Sequence, residues 1–153
     1  MEDKLKIVDE IRSFNRYYTK LLGLLNNHLL NSKYSLTEAR ILYEIHAGEK
    51  VTATQIISEL GIDKGQLSKI MRNLEKYGLI ARKASETDGR VILISLSPSG
   101  KKVYNELDTA SNQQISDMIS VIPKGNQKQL TACMQEIKKI LINSSTDDVR
   151  KRS

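Results

Sequence analysis

Apolar side chains recur at Ile7, Ile11, Phe14, Tyr18, Leu21, Leu25 and Leu29, a three-four spacing that predicts one apolar stripe along a long first helix. Tyr34-Ser35-Leu36-Thr37-Glu38 then reads as a loop closing in a capping box, in which the Ser35 hydroxyl and the Glu38 carboxylate satisfy each other's orphan backbone donors. The second helix is expected to run through His46, with Ala39, Leu42, Tyr43 and Ile45 on its buried side. Ala47-Gly48-Glu49-Lys50 breaks it, and Thr52 with Gln55 repeats the capping spacing ahead of Ile56, Ile57 and Leu60. This short third helix ends at Gly61, the residue best able to turn left-handed after a helix, and Asp63 can cap the next one, with Gln66 again three positions on. Two helices joined by so tight a turn form a helix-turn-helix.

The fourth helix is expected to bury Leu67, Ile70, Met71 and Leu74 and to end near Tyr77-Gly78. Leu79 to Lys83 and Arg90 to Leu96 then read as the two arms of a hairpin, with Ile92, Ile94 and Leu96 alternating and Ser85-Glu86-Thr87-Asp88-Gly89 as its loop. That hairpin is the wing. Ser97-Pro98 opens a fifth helix with Val103, Leu107, Ala110, Met118 and Ile122 on its apolar side, and Pro123-Lys124-Gly125 stops it. Asn126 can cap a sixth, whose stripe runs Leu130, Cys133, Met134, Ile137, Ile140 and Leu141. The expected class is therefore mainly α with a small β-hairpin wing. One domain over 1–153 is expected: a winged helix-turn-helix at 35–97, helical regions from both chain ends at 5–31 and 98–142, and a polar, frayed tail at 143–153.

Composition sharpens this picture where the charge lies. The chain of 153 residues carries 24 Lys and Arg against 18 Asp and Glu, a net charge of +6. Between Gly61 and Lys102 the basic residues are Lys64, Lys69, Arg72, Lys76, Arg82, Lys83, Arg90, Lys101 and Lys102, set against Asp63, Glu75, Glu86 and Asp88. Nearly all the net charge falls on the helix-turn-helix and wing, as a phosphate-facing surface requires.

The major groove of B-DNA admits a helix, so base-contact candidates lie on the polar N-terminal half of helix four: Gln66, Ser68, Lys69 and Arg72. Gln can pair two-pronged with adenine, and Arg or Lys with guanine. Lys64, Lys76, Arg82 and Lys83 suit phosphate contacts that fix register. Arg90, beside Gly89, is placed to enter a narrow minor groove, with Asp88 expected to hold it through a charge-assisted bond.

Other chemistries find little support. One cysteine, Cys133, allows no intrachain disulfide and suits a reducing cytoplasm; its place on an apolar stripe favours a small buried hydrophobe over a redox sensor. His28 and His46 lie at no metal-ligand spacing from Cys133 or each other, so neither a metal nor a cofactor is expected. No stretch approaches the ~20 apolar residues of a membrane span, and no nucleophile, acid-base pair or phosphate-cradling loop marks an enzyme.

The order of elements, the segment from Thr52-Ala53-Thr54-Gln55 to Leu60-Gly61, the stretch Leu74-Glu75-Lys76-Tyr77-Gly78-Leu79-Ile80, the Asp88-Gly89-Arg90 wing and Leu96-Ser97-Pro98-Ser99-Gly100 together resemble the MarR family of bacterial and archaeal regulators. The resemblance covers about Lys6 to Ile142. It implies a triangular homodimer interlocked through helices one, five and six, whose two lobes meet a pseudo-palindromic operator in double-stranded DNA as a ligand-responsive repressor. It also implies a pocket for a small aromatic or anionic effector, for which Arg16, Tyr17, Tyr18, Tyr34 and Arg40 are candidates. The segments Ile11 to Tyr18, Ser35 to Glu44 and Asp63 to Ile70 look most like members fused to a GNAT-type acetyltransferase, so a regulatory half of such a fusion stays open. A winged helix that binds protein rather than DNA is the other alternative.

Overall fold

The computed structural model describes the backbone of residues 1–29 and 32–151 and the side chains of residues 1–24 and 32–144. Its elements run α1 (Glu2–Leu29), α2 (Leu36–Gly48), α3 (Ala53–Leu60), α4 (Lys64–Lys76), β1 (Ile80–Ala84), β2 (Ile92–Leu96), α5 (Pro98–Ser120) and α6 (Lys124–Lys151). The chain divides into two compact units, residues 1–112 and 113–153. The mainly helical class with one hairpin is as the pattern predicts.

Local chemistry sets the boundaries. Both capping boxes form: Ser35 and Glu38 at α2, at 2.8 and 3.1 Å, and Thr52 and Gln55 at α3, at 2.8 and 3.2 Å. Gly61 takes the left-handed conformation at φ 62° and gives its N–H to the Ile57 carbonyl at 2.9 Å. Asp63 caps α4 by accepting from the Gln66 N–H at 2.8 Å. Gly78, at φ 70°, turns the chain out of α4 into β1.

The hairpin pairs antiparallel, with Ile80 opposite Leu96 and Arg82 opposite Ile94. Val51 adds a single bridge to Ile94, its N–H donating at 3.0 Å and its carbonyl accepting at 2.7 Å, which ties the α2–α3 connection to the base of the wing.

The buried hydrophobic core among the described residues lies wholly between Tyr34 and Leu107. It is built on Ile41, Leu42 and Ile45 of α2, Ile56 of α3, Leu67, Met71 and Leu74 of α4, and Leu79, Ile80, Ile94 and Leu96 around the hairpin. Neither α1 nor α6 contributes a residue to that core among the described residues.

Several expectations change. In α2, Ile41 is buried and Tyr43 exposed; the face through Ile41, Leu42 and Ile45 leaves Tyr43 about 150° off, where its ring meets Tyr104 at 6.5 Å. Ile70 is half-buried rather than buried, and Ala110 is exposed. Ile122 lies beyond the end of α5, half-buried. The helix α6 continues to Lys151, through a polar stretch that holds neither Pro nor Gly to stop it, and residues 152–153 of the expected tail lie outside the described residues.

The terminal stripes are amphipathic as the spacing predicts, yet they are exposed. On α1, Ile7 is 59 % and Ile11 56 % accessible, with Phe14 stacked on Tyr18 at 5.5 Å. On α6, Met134, Ile137 and Ile140 are exposed, and so is Cys133, against the expectation of burial. Leu25, His28 and Leu29 lie outside the described side chains.

Candidate nucleic-acid interface

The α4 helix is two-faced. Leu67, Met71 and Leu74 point into the core, whereas Lys64, Gln66, Ser68, Lys69, Arg72 and Lys76 are all exposed. The four base-contact candidates thus share the open side of one helix. Gln66 provides its backbone N–H to the Asp63 cap, but its side chain does not return to close a capping box, unlike Glu38 and Gln55 in the helices before it. The amide of Gln66 is left to face outward.

The wing carries Lys83 and Arg90 on exposed positions. Its loop is held by backbone bonds from Ser85 to Val91, at 2.8 Å, and from Val91 to Asp88, at 3.0 Å. The Asp88 carboxylate accepts from the backbone N–H of Arg90 at 3.0 Å rather than from its guanidinium. Asp88 therefore shapes the turn, and the expected side-chain clamp on Arg90 is corrected: a carboxylate two residues back reaches a main-chain donor more readily than a long side chain. Lys83 meets Glu86 at 3.9 Å, a fully exposed pair of little energetic weight.

Arg82, assigned to a phosphate from the sequence, is in an ion pair with Glu75. That pairing joins α4 to the wing strand across the turn at Gly78. A seven-residue separation across a tight turn is neither a helical nor a hairpin neighbour spacing, so no local rule signals it.

The five effector-pocket candidates are not brought together within the chain. Tyr17 is exposed, Tyr18 stacks on Phe14, and Arg16 is exposed on α1. Tyr34 is buried, edge-on to Tyr77 at 6.2 Å, with the Lys33 ammonium 4.9 Å from the Tyr77 ring centre. This places Tyr34 against the C-terminal end of α4. Arg40 lines a cleft of about 160 Å³ with Leu36, Tyr43, Tyr104 and Asp108. Burial, then the neighbouring Asp108 and Tyr43 and a hydrogen bond to the Asp108 carboxylate, hold the Tyr104 phenol above its ordinary pKa. His46 stacks on Tyr104 at 4.0 Å.

A tight helix pair whose second helix presents polar and basic side chains, followed by a basic hairpin, defines a winged helix-turn-helix protein. Comparison with known proteins narrows the class. Residues 33–91 match the model of the MarR family. The chain is 29% identical over 107 residues to the HTH-type transcriptional regulator MgrA of Staphylococcus aureus, covering 69% of this chain and 67% of that one. It overlays a mutant MarR of E. coli complexed with operator DNA at a TM-score of 0.72 and 18% identity, covering 86% and 95% of the two chains. The structure of Bordetella bronchiseptica BpsR, whose DNA binding is regulated by 6-hydroxynicotinic acid, overlays at 0.69 and 14%, covering 83% and 91%. The stretch 33–91, which holds the helix-turn-helix and most of the wing, is thus similar to the MarR family.

Among the described residues no three His, Cys, Asp or Glu side chains gather as a metal site would need, and no helix is long and apolar enough to cross a membrane.

Proposed function

We propose that the protein is a sequence-specific, double-stranded-DNA-binding transcriptional regulator, a repressor, that acts in the cytoplasm as a homodimer and has no catalytic activity of its own. The observation that carries this reading is the exposed polar face of α4, set beside a basic wing and backed by a packed core. Gln66, Ser68, Lys69 and Arg72 read base edges in the major groove. Lys64, Lys76, Arg82 and Lys83 meet phosphates, and Arg90 enters the minor groove from a turn that Asp88 shapes.

The exposed stripes of α1 and α6 support the dimer: apolar residues at helical spacing that one chain leaves open are covered when a second copy supplies the same surfaces. The regions 5–31 and 98–142 then serve dimerisation, and 35–97 reads DNA. BpsR supports an effector-responsive version of this design. Here the effector is a small aromatic anion, and its site is the Arg40 cleft, where the guanidinium meets the anion and the Tyr43 and Tyr104 rings flank it, the Asp108 carboxylate being engaged by the Tyr104 phenol. At about 160 Å³ the cleft is smaller than the ~300–1,000 Å³ of drug-sized sites, so it suits a single ring.

The division of labour is testable by fluorescence anisotropy. Arg90→Ala is expected to weaken binding to all duplexes and to lower the salt slope by about one. Gln66→Ala is expected to relax preference at one base pair, with ~1–3 kcal/mol of discrimination lost there. Equal effects of the two on matched and mismatched duplexes contradict the assignment. For the effector, calorimetry of the DNA-free protein with salicylate at millimolar concentration is expected to give heat that Arg40→Ala removes; no heat in the parent protein contradicts the site.

A further inference from the structure

We infer that Glu75 is a positioning residue for DNA recognition: it fixes the Arg82 guanidinium so that α4 and the wing strand meet the duplex as one unit. The inference rests on the DNA-binding reading above. Glu75 is the one acidic residue of α4, in its last turn, and Arg82 is the third residue of β1. The Arg82 Nε and the Glu75 Oε1 form the ion pair, with the two side chains 41 % and 37 % exposed. Solvent screens such a pair, so its contribution to folding is small. Its geometric consequence is larger.

A carboxylate on a helix whose other charges are Lys64, Lys69, Arg72 and Lys76 opposes phosphate approach unless a cation neutralises it. Arg82 does so. A guanidinium carries five N–H donors in a rigid planar fork, and engaging Nε sets the plane in which the terminal nitrogens lie. An arginine held in this way has already given up rotamer freedom before it meets a phosphate, whereas an unheld one must give it up on binding. Arg82 also lines a cleft between α3, α4 and the wing base that includes Lys64 and Ser68. Glu75 thereby governs where one wing cation sits relative to the base-reading end of α4, although it need touch no nucleotide itself.

The test compares wild type, Glu75→Gln, Arg82→Gln and the double variant, each against the duplex that wild type selects from a randomised pool and a scrambled duplex of equal length, at two salt concentrations. Each single change is expected to weaken binding to the selected duplex roughly fivefold, and the double variant to bind no worse than Arg82→Gln alone, because both remove one coupled contact. Only Arg82→Gln is expected to lower the salt slope, by about one, since Glu75→Gln leaves every cation in place. Glu75→Gln is expected to leave scrambled-duplex binding unchanged or tighter. Additive losses, or equal tightening on both duplexes, overturn the role, as does a loss of binding that merely follows each variant's melting temperature. Wild type showing no duplex preference overturns the DNA reading itself, a result distinct from these.

Discussion

Replacing Ile11 with glutamate is expected to convert the protein from dimer to monomer and to weaken its binding to a two-half-site duplex on the order of 100-fold. Ile11 is 56 % accessible in the single chain and sits mid-stripe on α1 between Ile7 and Phe14. A glutamate there costs little in an isolated chain but places an unpaired charge in the interface between copies. The reading head should survive, because its buried core lies between Tyr34 and Leu107, away from α1. Once dimerisation is lost, each lobe binds its half-site without the high effective concentration that the partner lobe enjoys. Sedimentation velocity gives the mass, anisotropy the affinity, and circular dichroism confirms that helix content holds. A variant that remains dimeric contradicts the assignment of this face.

Gly100→Val is expected to destabilise the winged unit by roughly 3 kcal/mol or more, seen as a fall in the thermal midpoint on the order of 10 °C. The reason is contact rather than backbone freedom. A Cβ at Gly100 would overlap the Leu79 carbonyl, which is main chain and cannot swing aside. The same junction is stitched by the Ser97 hydroxyl donating to the Gly78 carbonyl at 2.6 Å, the Ser97 N–H donating to the Leu79 carbonyl at 2.9 Å, and the Gly100 N–H donating to the Ser97 hydroxyl oxygen at 3.0 Å. The start of α5 is thus pressed against the chain leaving α4. Gly61 makes the contrast: it has open space around its Cβ position and a φ of 62°, so Gly61→Ala should cost only the ~1–2 kcal/mol of left-handed backbone. Calorimetric melting of the two variants checks the order; Gly61→Ala proving the more damaging contradicts the steric argument.

What the sequence made legible was mostly local. The caps at Ser35, Thr52 and Asp63 and the turn at Gly61 are written in residues one to three positions apart, and all form. The outward set on α4 follows from helical periodicity once Leu67, Met71 and Leu74 are assigned to the core. Features that depend on which elements meet in space were harder to see. The Arg82–Glu75 pair crosses a turn, Tyr34 turns inward to Tyr77, and Tyr43 leaves the core for Tyr104. Asp88 beside Arg90 suggested a side-chain clamp, because sequence adjacency does not tell whether a carboxylate meets a guanidinium or the nearer main-chain N–H. The stripes of α1 and α6 were legible as helices but not as exposed, since periodicity says which side chains share a face and not what covers it.

Two copies of this fold are expected to read a DNA sequence in two symmetric halves. Selection of bound duplexes from a randomised pool, repeated at two salt concentrations, tests it most directly. The expected result is a pseudo-palindrome with half-sites one helical turn, ~34 Å, apart at both concentrations. Recovery of nothing beyond sequence-blind binding that vanishes as salt rises would contradict it.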